Sequence, residues 1–332
     1  MILVTGGNGM LGRAVVEQLL EQGEPVRVFD LATHSNPEVD SFVGDIRNLA
    51  EIRQACTGAA GVIHTASLVD LHLGKPQRLY DINVLGVENL LAACLEKNVP
   101  KLVYMSTAEV ISGAEPLRHV DESIPYPVPH LTYYGVTKEA AERLILAAND
   151  DALATCAIRT FGIFGEGDRN FVGRAIEKVQ GKQIPQLGRN QGITDIVYAG
   201  NVAHGLISAL FQLEVGNRIS GHVFHLTDHA PQSMQDFLID LLGPLGYSRS
   251  AITIPIGILK LMARLFELPY HLTKAERLAD PLMTHHQILL ATQDYYLNSC
   301  KACKHLGYTP RFTRHEAVAR MQRWLDTALI KE

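Results

Sequence analysis

Short apolar runs along the first half of the chain alternate with longer stretches in which apolar residues return every third or fourth position. Met1–Thr5 (MILVT), Val26–Asp30 (VRVFD), Gly61–Ala66 (GVIHTA) and Lys101–Ser106 (KLVYMS) are too short for helices and too apolar for exposed loops. They read as buried strands. Ser41 to Gly44, leading into Asp45-Ile46, reads as another. Between them Leu11, Ala14, Val15, Leu19 and Leu20 keep helical spacing until Gly23 stops the helix. Further helices are predicted near Leu49–Cys56, over about Gln77–Lys97 and from Tyr133 onward. Strand and helix in alternation specify an α/β fold with a parallel, doubly wound sheet, whose ligands gather at the strand C-termini. Gly6, Asp30, Asp45, Ala66 and Thr107 stand at those ends.

The alternation breaks after about residue 165. Residues 1–165 are expected to form one domain, with 188–227 returning to it and His222–Leu226 as a strand there. Residues 166–187 and 228–332 are expected to build a smaller, mostly helical C-terminal lobe over the crevice.

The first strand meets a glycine cluster, Gly6-Gly7-Asn8-Gly9-Met10-Leu11-Gly12. Gly7, Gly9 and Gly12 satisfy GxGxxG, and Gly6, Gly9 and Gly12 fit the TGxxGxxG variant. Glycines let the backbone turn tightly and approach a pyrophosphate, whose charge then rests on the helix N-terminus. Asp30 closes the second strand about twenty residues past the loop, where a ribose-binding carboxylate belongs. This order of elements describes a Rossmann dinucleotide-binding unit. A carboxylate accepts from a ribose 2′-hydroxyl and repels a 2′-phosphate, so NAD is favoured over NADP. Leu31-Ala32-Thr33 supply no phosphate-clamping arginine, although Arg13 lies beside the loop.

Composition narrows the class. A formal charge of −5 leaves no basic field for nucleic acid, and 47% hydrophobic residues with 20% charged suit a soluble globular chain. The five cysteines, Cys56, Cys94, Cys156, Cys300 and Cys303, are scattered and odd in number, which suits a reducing cytoplasm better than a disulfide scaffold. Cys300 and Cys303 have redox or metal spacing but no second such pair, and read as unreactive thiols on a short helix. Met1 runs straight into a strand, so no signal peptide is read. The histidines, His285-His286 included, make no HExxH set, so no metal is expected; that pair reads as surface or lobe packing.

Tyr134 and Lys138 lie four apart at the start of a helix, hence on one face. A lysine ammonium near a phenol favours the phenolate and draws its pKa from about 10 toward neutrality. Such a tyrosine is a candidate acid/base for an alcohol or a ketone. The fold carries it to the crevice edge that holds the glycine loop.

The ordered motifs TGGNGMLG at 5–12, GDI at 44–46, HTAS at 64–67, NVLG at 83–86, YMSTAEV at 104–110, YGVTK at 134–138 and IRTFGIFGEGD at 158–168 resemble an extended short-chain dehydrogenase/reductase. The resemblance spans essentially the whole chain. With TDIVYAGNVAHG at 194–205 and the segment from Ile254 to Tyr270, it is most similar to the 3β-hydroxysteroid dehydrogenase group, which includes sterol dehydrogenases and bacterial long-chain 3-oxoacid reductases. The resemblance implies Tyr134 as acid/base, Lys138 lowering its pKa while bonding the nicotinamide ribose, and Thr107 bonding the substrate oxygen in preference to Ser106. It implies Gly6, Gly9, Met10, Leu11 and Gly12 around the pyrophosphate and Asp30 at the ribose. Asp45 and Ile46 would meet the adenine, with Ala66 and Asn83 beside the cofactor. His64 is read as structural. One departure is Thr160, where Arg-Pro is the commoner pair.

Two features bear on substrate. Nucleotide-sugar epimerases of this superfamily usually carry an arginine that contacts the diphosphate where this chain has Thr194-Asp195-Ile196. Pro255–Pro269 is apolar apart from a stripe of Lys260, Arg264 and Glu267, and reads as a buried lobe helix, a greasy pocket wall or a membrane-facing surface. Both features favour an apolar substrate, a steroid, sterol or long-chain oxoacid, over a sugar diphosphate. The alternatives are a nucleotide-sugar epimerase, dehydratase or reductase, and a non-catalytic NAD-binding sensor. The helices over 77–97 and 134–149 resemble those that pair in superfamily dimers, which implies a homodimer.

Overall fold

The computed structural model describes residues 1–70, 76–168, 171–188, 192–273 and 284–329. Its central sheet is wholly parallel, with the strands ordered His222–His225, Ala154–Arg159, Lys101–Met105, Gly61–His64, Ile2–Thr5, Val26–Asp30 and Asp40–Val43. From Ile2–Thr5 the chain first builds outward on one side, then returns to place Gly61–His64 on the other, with Thr5 level with His64. The strand order therefore reverses between these two neighbours, and a crevice opens at their C-terminal ends.

Continuous apolar runs are explained by burial on both faces. Val4, Val103 and Ile158 point to one core with Val15 and Leu19 of the helix Met10–Glu21 and Leu206 and Leu210 of the helix Ala199–Gln212. Leu3, Val62, Leu102 and Tyr104 point to the other, with Leu90 of the helix Gly86–Glu96 and Ile145 of the helix Tyr133–Ala147. Gly23 takes a φ of 76° where the chain leaves the first helix.

The stretch expected as one long helix over 77–97 differs in its middle. It is helical over Pro76–Tyr80, widens into a π-turn over Asp81–Leu85 and resumes at Gly86. Such an inserted residue is invisible to a search at helical period, and π-turns often serve sites. Here it carries Asn83.

Beyond the sheet, Gly162–Phe164 pairs with Ile196–Tyr198, and Gln183–Leu187 with Ser248–Ile254. A further small sheet is ordered Gln232–Ser233, Ile193–Thr194, Tyr295–Leu297, Leu117–Val120. A third core of Phe164, Val172, Phe237, Leu241, Met321 and Leu325 packs Gly162–Phe164 and Ile196–Tyr198 to the helices Val172–Lys178, Met234–Leu242 and Arg314–Leu329, while Leu117, Tyr295 and Leu297 of the small sheet pack in a fourth core with Val110, Ile111 and Leu289. The described elements after residue 228 are mostly helical, with the strands Gln232–Ser233, Ser248–Ile254 and Tyr295–Leu297 among them.

The apolar segment after Pro255 forms the helix Ile256–Thr273. It is not a buried helix: Leu259 and Ala263 pack inward, while Ile258, Leu261, Leu265 and Leu268 are exposed. No described helix is long and apolar enough to cross a membrane.

Candidate active site

The glycine loop is shaped by close backbone approaches. Gly6 has a φ of 73°, and a Cβ there would meet the Ala66 backbone at 2.7 Å. A Cβ on Gly12 would lie 2.1 Å from the Gly6 carbonyl oxygen, so only glycine lets the helix start against the loop. Asp30 holds the other side: its carboxylate accepts from the Asn8 N–H at 2.8 Å and the Leu31 N–H at 2.7 Å. The Arg13 guanidinium packs against Gly167.

The crevice continues into a cavity of about 650 Å³. Gly6, Gly9, Met10, Leu11 and Gly12 line one end, and Thr107, Tyr134 and Lys138 lie along the same space. Val69, Phe161, Ile163, Phe171, Met234 and Leu290 make much of the remaining wall apolar, and Arg13, Glu109, Asp168 and Arg174 are the charged residues on it. Of the residues assigned from sequence, Asp30, Asp45, Ile46, Ala66 and Asn83 are not among the described lining residues. Asp45 is engaged by Arg47, and its carboxyl is held below the usual range chiefly by that side-chain hydrogen bond.

Asn83 stands behind the cavity wall. Its amide oxygen accepts from the Leu68 N–H at 2.8 Å and the Ser67 hydroxyl at 3.1 Å. Its amide nitrogen donates to the Leu68 carbonyl at 3.0 Å and to Thr137 Oγ1 at 3.2 Å. The π-turn thus lets one buried amide clamp the segment after Gly61–His64 to the Tyr134 helix.

That helix begins where Thr132 accepts from the Gly135 N–H at 3.0 Å. Gly135 keeps its start close to the Glu109 carbonyl, 3.1 Å from where a Cβ would sit. Tyr134 and Lys138 are both buried on the inward face. Lys138 Nζ donates to the Met105 carbonyl at 2.7 Å and sits 4.2 Å over the Tyr104 ring. Burial lowers the Lys138 pKa to about 7, against the opposing charge of Glu142. Burial, then the Glu109 carboxylate, push the Tyr134 phenol up, while hydrogen bonds with Ser67 and Thr107 pull it partly back. Desolvation dominates both groups and moves them in opposite directions.

Thr107 and Ser106 also separate. The Ser106 hydroxyl is committed to Glu142, whereas Thr107 faces the cavity and its Oγ1 caps the short turn Ala108–Ile111 by accepting from the Glu109 N–H at 3.2 Å. Glu142 is fully buried and ion-paired with Arg159, and accepts from the Tyr126 hydroxyl at 2.8 Å. Sequence reasoning missed this cluster; acids and bases far apart along the chain carry no spacing signal. His64 is buried in the sheet, 2.6 Å from Thr5 Oγ1 and stacked on Tyr104, and burial drives its pKa to about 3. His286 is buried too, with Nε2 2.9 Å from Glu109 Oε2. Among the described residues no cluster of three or more His, Cys, Asp or Glu could hold a metal ion.

A parallel sheet with a glycine-cradled crevice and a Tyr–Lys pair at its edge defines a short-chain oxidoreductase fold. The chain matches the 3-beta hydroxysteroid dehydrogenase/isomerase family over residues 3–256, and it belongs to that family. It is 34% identical over 321 residues to mouse sterol-4-alpha-carboxylate 3-dehydrogenase, decarboxylating, covering 96% of this chain and 88% of the mouse protein. It is 31% identical over 330 residues to a 3-beta-hydroxysteroid dehydrogenase of Mycolicibacterium neoaurum, covering 96% and 89%. Among solved structures, MoeE5 in complex with UDP-glucuronic acid and NAD has a TM-score of 0.74 at 23% identity, covering 98% of this chain and 99% of that one. Thermus thermophilus UDP-glucose 4-epimerase complexed with NAD has a TM-score of 0.73 at 22% identity, covering 98% and 99%. These two share the fold.

Proposed function

We propose that the chain is an NAD-dependent dehydrogenase/reductase acting at a secondary alcohol or ketone of an apolar substrate: a 3β-hydroxysteroid, a sterol or a long-chain 3-oxoacid. The carrying observation is that Tyr134, Lys138 and Thr107 share one cavity with the Gly6–Gly12 loop, and that Val69, Phe161, Ile163, Phe171, Met234 and Leu290 make much of the rest of its wall apolar. The loop fits a dinucleotide, since its backbone is bare where a Cβ would collide and Asp30 stands at the end of the second strand. The nicotinamide supplies or accepts the hydride when bound. Tyr134 then takes the alcohol proton in oxidation or gives it to the carbonyl oxygen in reduction, and Thr107 holds that oxygen. Lys138 would bond the cofactor ribose, with Asp45 and Ile46 toward the adenine and Asn83 positioning the wall beside the cofactor.

The sterol and steroid names of the relatives support the apolar class. Within 193–196, Thr194 and Ile196 line the cavity with no arginine among them, which supports it against a sugar diphosphate; the arginines at the cavity are Arg13 and Arg174. Two finer readings follow. Exposed Tyr80, Leu85, Leu95, Tyr133 and Val136 support a homodimer through those helices, and exposed Ile258, Leu261, Leu265 and Leu268 support a peripheral membrane contact. The test is nicotinamide absorbance with purified protein against 3β-hydroxysteroids, 3-oxoacids and UDP-sugars. Turnover with one of the first two classes is expected, and turnover with UDP-sugars alone would overturn the reading.

A further inference from the structure

Thr107 sits on a strand end that is pinned from two directions. The chain stays extended past Met105, with Thr107 at φ −156° and ψ 153°. On one side the Ser106 N–H donates to the Ile158 carbonyl at 2.8 Å, and the Ala108 N–H to the Thr160 carbonyl at 2.9 Å. On the other side lies the helix Tyr133–Ala147, where Tyr134, Lys138 and Glu142 share one face and are all buried. Lys138 reaches the Met105 carbonyl, and Glu142 accepts from the Ser106 hydroxyl. The Glu142 carboxylate also accepts from the Tyr126 hydroxyl at 2.8 Å and from Arg159 Nε at 3.0 Å, with Arg159 Nη2 completing the pair. Ser106, Glu142 and Arg159 are each no more than 3% exposed. Apolar side chains of the same volume would join helix to strand at less desolvation cost, but would not fix its rotation.

We propose that Ser106 is a positioning residue, whose hydrogen bond to the Arg159-paired Glu142 holds Thr107 in the rotamer that meets the substrate oxygen opposite Tyr134. The inference rests on the reading of Thr107 and Tyr134 as the groups that converge on that oxygen. They come from different elements, Thr107 from the strand end and Tyr134 from the helix. Backbone bonds to Ile158 and Thr160 fix Thr107 against the next strand, but not against the helix. Lys138 fixes the helix to Met105 at a single point, about which it can still turn. The Ser106–Glu142 bond adds a second point one helical turn further on, and two points define an orientation. Ser106 and Thr107 are consecutive in extended chain, so their side chains leave on opposite sides. The anchor on Ser106 therefore sets the angle at which Thr107 enters the cavity. Ser106 itself borders the cavity with its hydroxyl turned to Glu142, so it acts through Thr107.

The direct test follows Thr107 by NMR in protein labelled with ¹³C at the threonine methyl groups, its signal assigned by loss in Thr107→Ser. Three-bond couplings report the side-chain rotamer. A single rotamer is expected in the unsubstituted protein, and an average over rotamers in Ser106→Ala. That variant leaves Arg159 and Tyr126 on Glu142, so the fold is kept. With a 3β-hydroxysteroid and NAD, kcat of Ser106→Ala is expected to fall about ten- to hundredfold, with KM and NAD affinity within about twofold of the parent. In a Thr107→Ala background the same substitution should lower kcat no further. An unchanged Thr107 rotamer in Ser106→Ala would overturn the proposal. So would a kcat loss that adds to that of Thr107→Ala, or a loss carried by KM instead. The rotamer measurement needs no substrate, so its failure is distinct from failure of the oxidoreductase reading.

Discussion

Lys138 reaches from its helix to the Met105 carbonyl, 2.7 Å away, at the C-terminal end of the central strand Lys101–Met105. This contact ties the helix that carries Tyr134 to the strand that leads directly into Thr107. The pair from the helix and the threonine from the strand end are therefore held together by this bond and by the Ser106–Glu142 hydrogen bond, within a sheet edge that the apolar strands hold rigid. Because Lys138 is buried there, its charge is costly and its position is well defined.

That cost has a pH signature. The Lys138 pKa falls from 10.5 to about 7 in the folded chain. Between these values the unfolded chain holds a proton that the folded chain has released, so this group's contribution to stability rises with pH across that window and is lost as pH falls through 7. Urea unfolding of the protein and of Lys138→Met, run at pH 7 and pH 10, is expected to show the stability difference between them shift in favour of the lysine form at the higher pH. Parallel pH dependences would count against this account of Lys138.

Arg159 and Glu142 form a buried pair under the same helix, with side chains 3% and 0% exposed. Removing one partner strands the other charge. Arg159→Met is expected to destabilise the fold by about 3–5 kcal/mol, with much of the loss recovered in the Arg159→Met/Glu142→Gln double variant. Denaturant titration checks both. An Arg159→Met variant within about 1 kcal/mol of the parent would show the pair to be dispensable.

The glycine loop makes a separate prediction. A methyl group on Gly12 would sit 2.1 Å from the Gly6 carbonyl oxygen and 2.7 Å from Gly7 Cα, and neither is a flexible side chain that can turn aside. Gly12→Ala must lift the helix Met10–Glu21 away from the loop. NAD affinity, measured by calorimetry, is expected to fall at least about tenfold, a loss of roughly 1.4 kcal/mol. Unchanged affinity would separate the loop from the cofactor.

Much of this arrangement is legible in the sequence because local patterns encode it. The runs MILVT and VRVFD could only be strands buried on two faces, and the glycines between them left little choice of turn. The Tyr134–Lys138 spacing placed both on one helical face, and Thr107 followed from its position after KLVYM. What escaped was set by tertiary contact. Asn83 was named from the family resemblance, but the clamp it makes depends on a π-turn that shifts helical phase by one residue, and the pairs Glu142–Arg159 and Glu109–His286 join elements with no fixed sequence spacing. The helix Ile256–Thr273 was legible as a helix, while the exposure of its apolar face depended on what packs beside it.

The measurement that bears most directly on the whole account is turnover by Tyr134→Phe, followed by nicotinamide absorbance with a 3β-hydroxysteroid and NAD, alongside NAD affinity by calorimetry. Removing only the phenolic hydroxyl takes away the group that accepts the alcohol proton as the hydride leaves, and leaves the ring and the glycine cradle in place. Turnover is expected to fall by about 10²–10⁴-fold, with NAD affinity within about twofold of the parent. A variant that still turns over at the parent rate would contradict the assignment of Tyr134 as the acid/base.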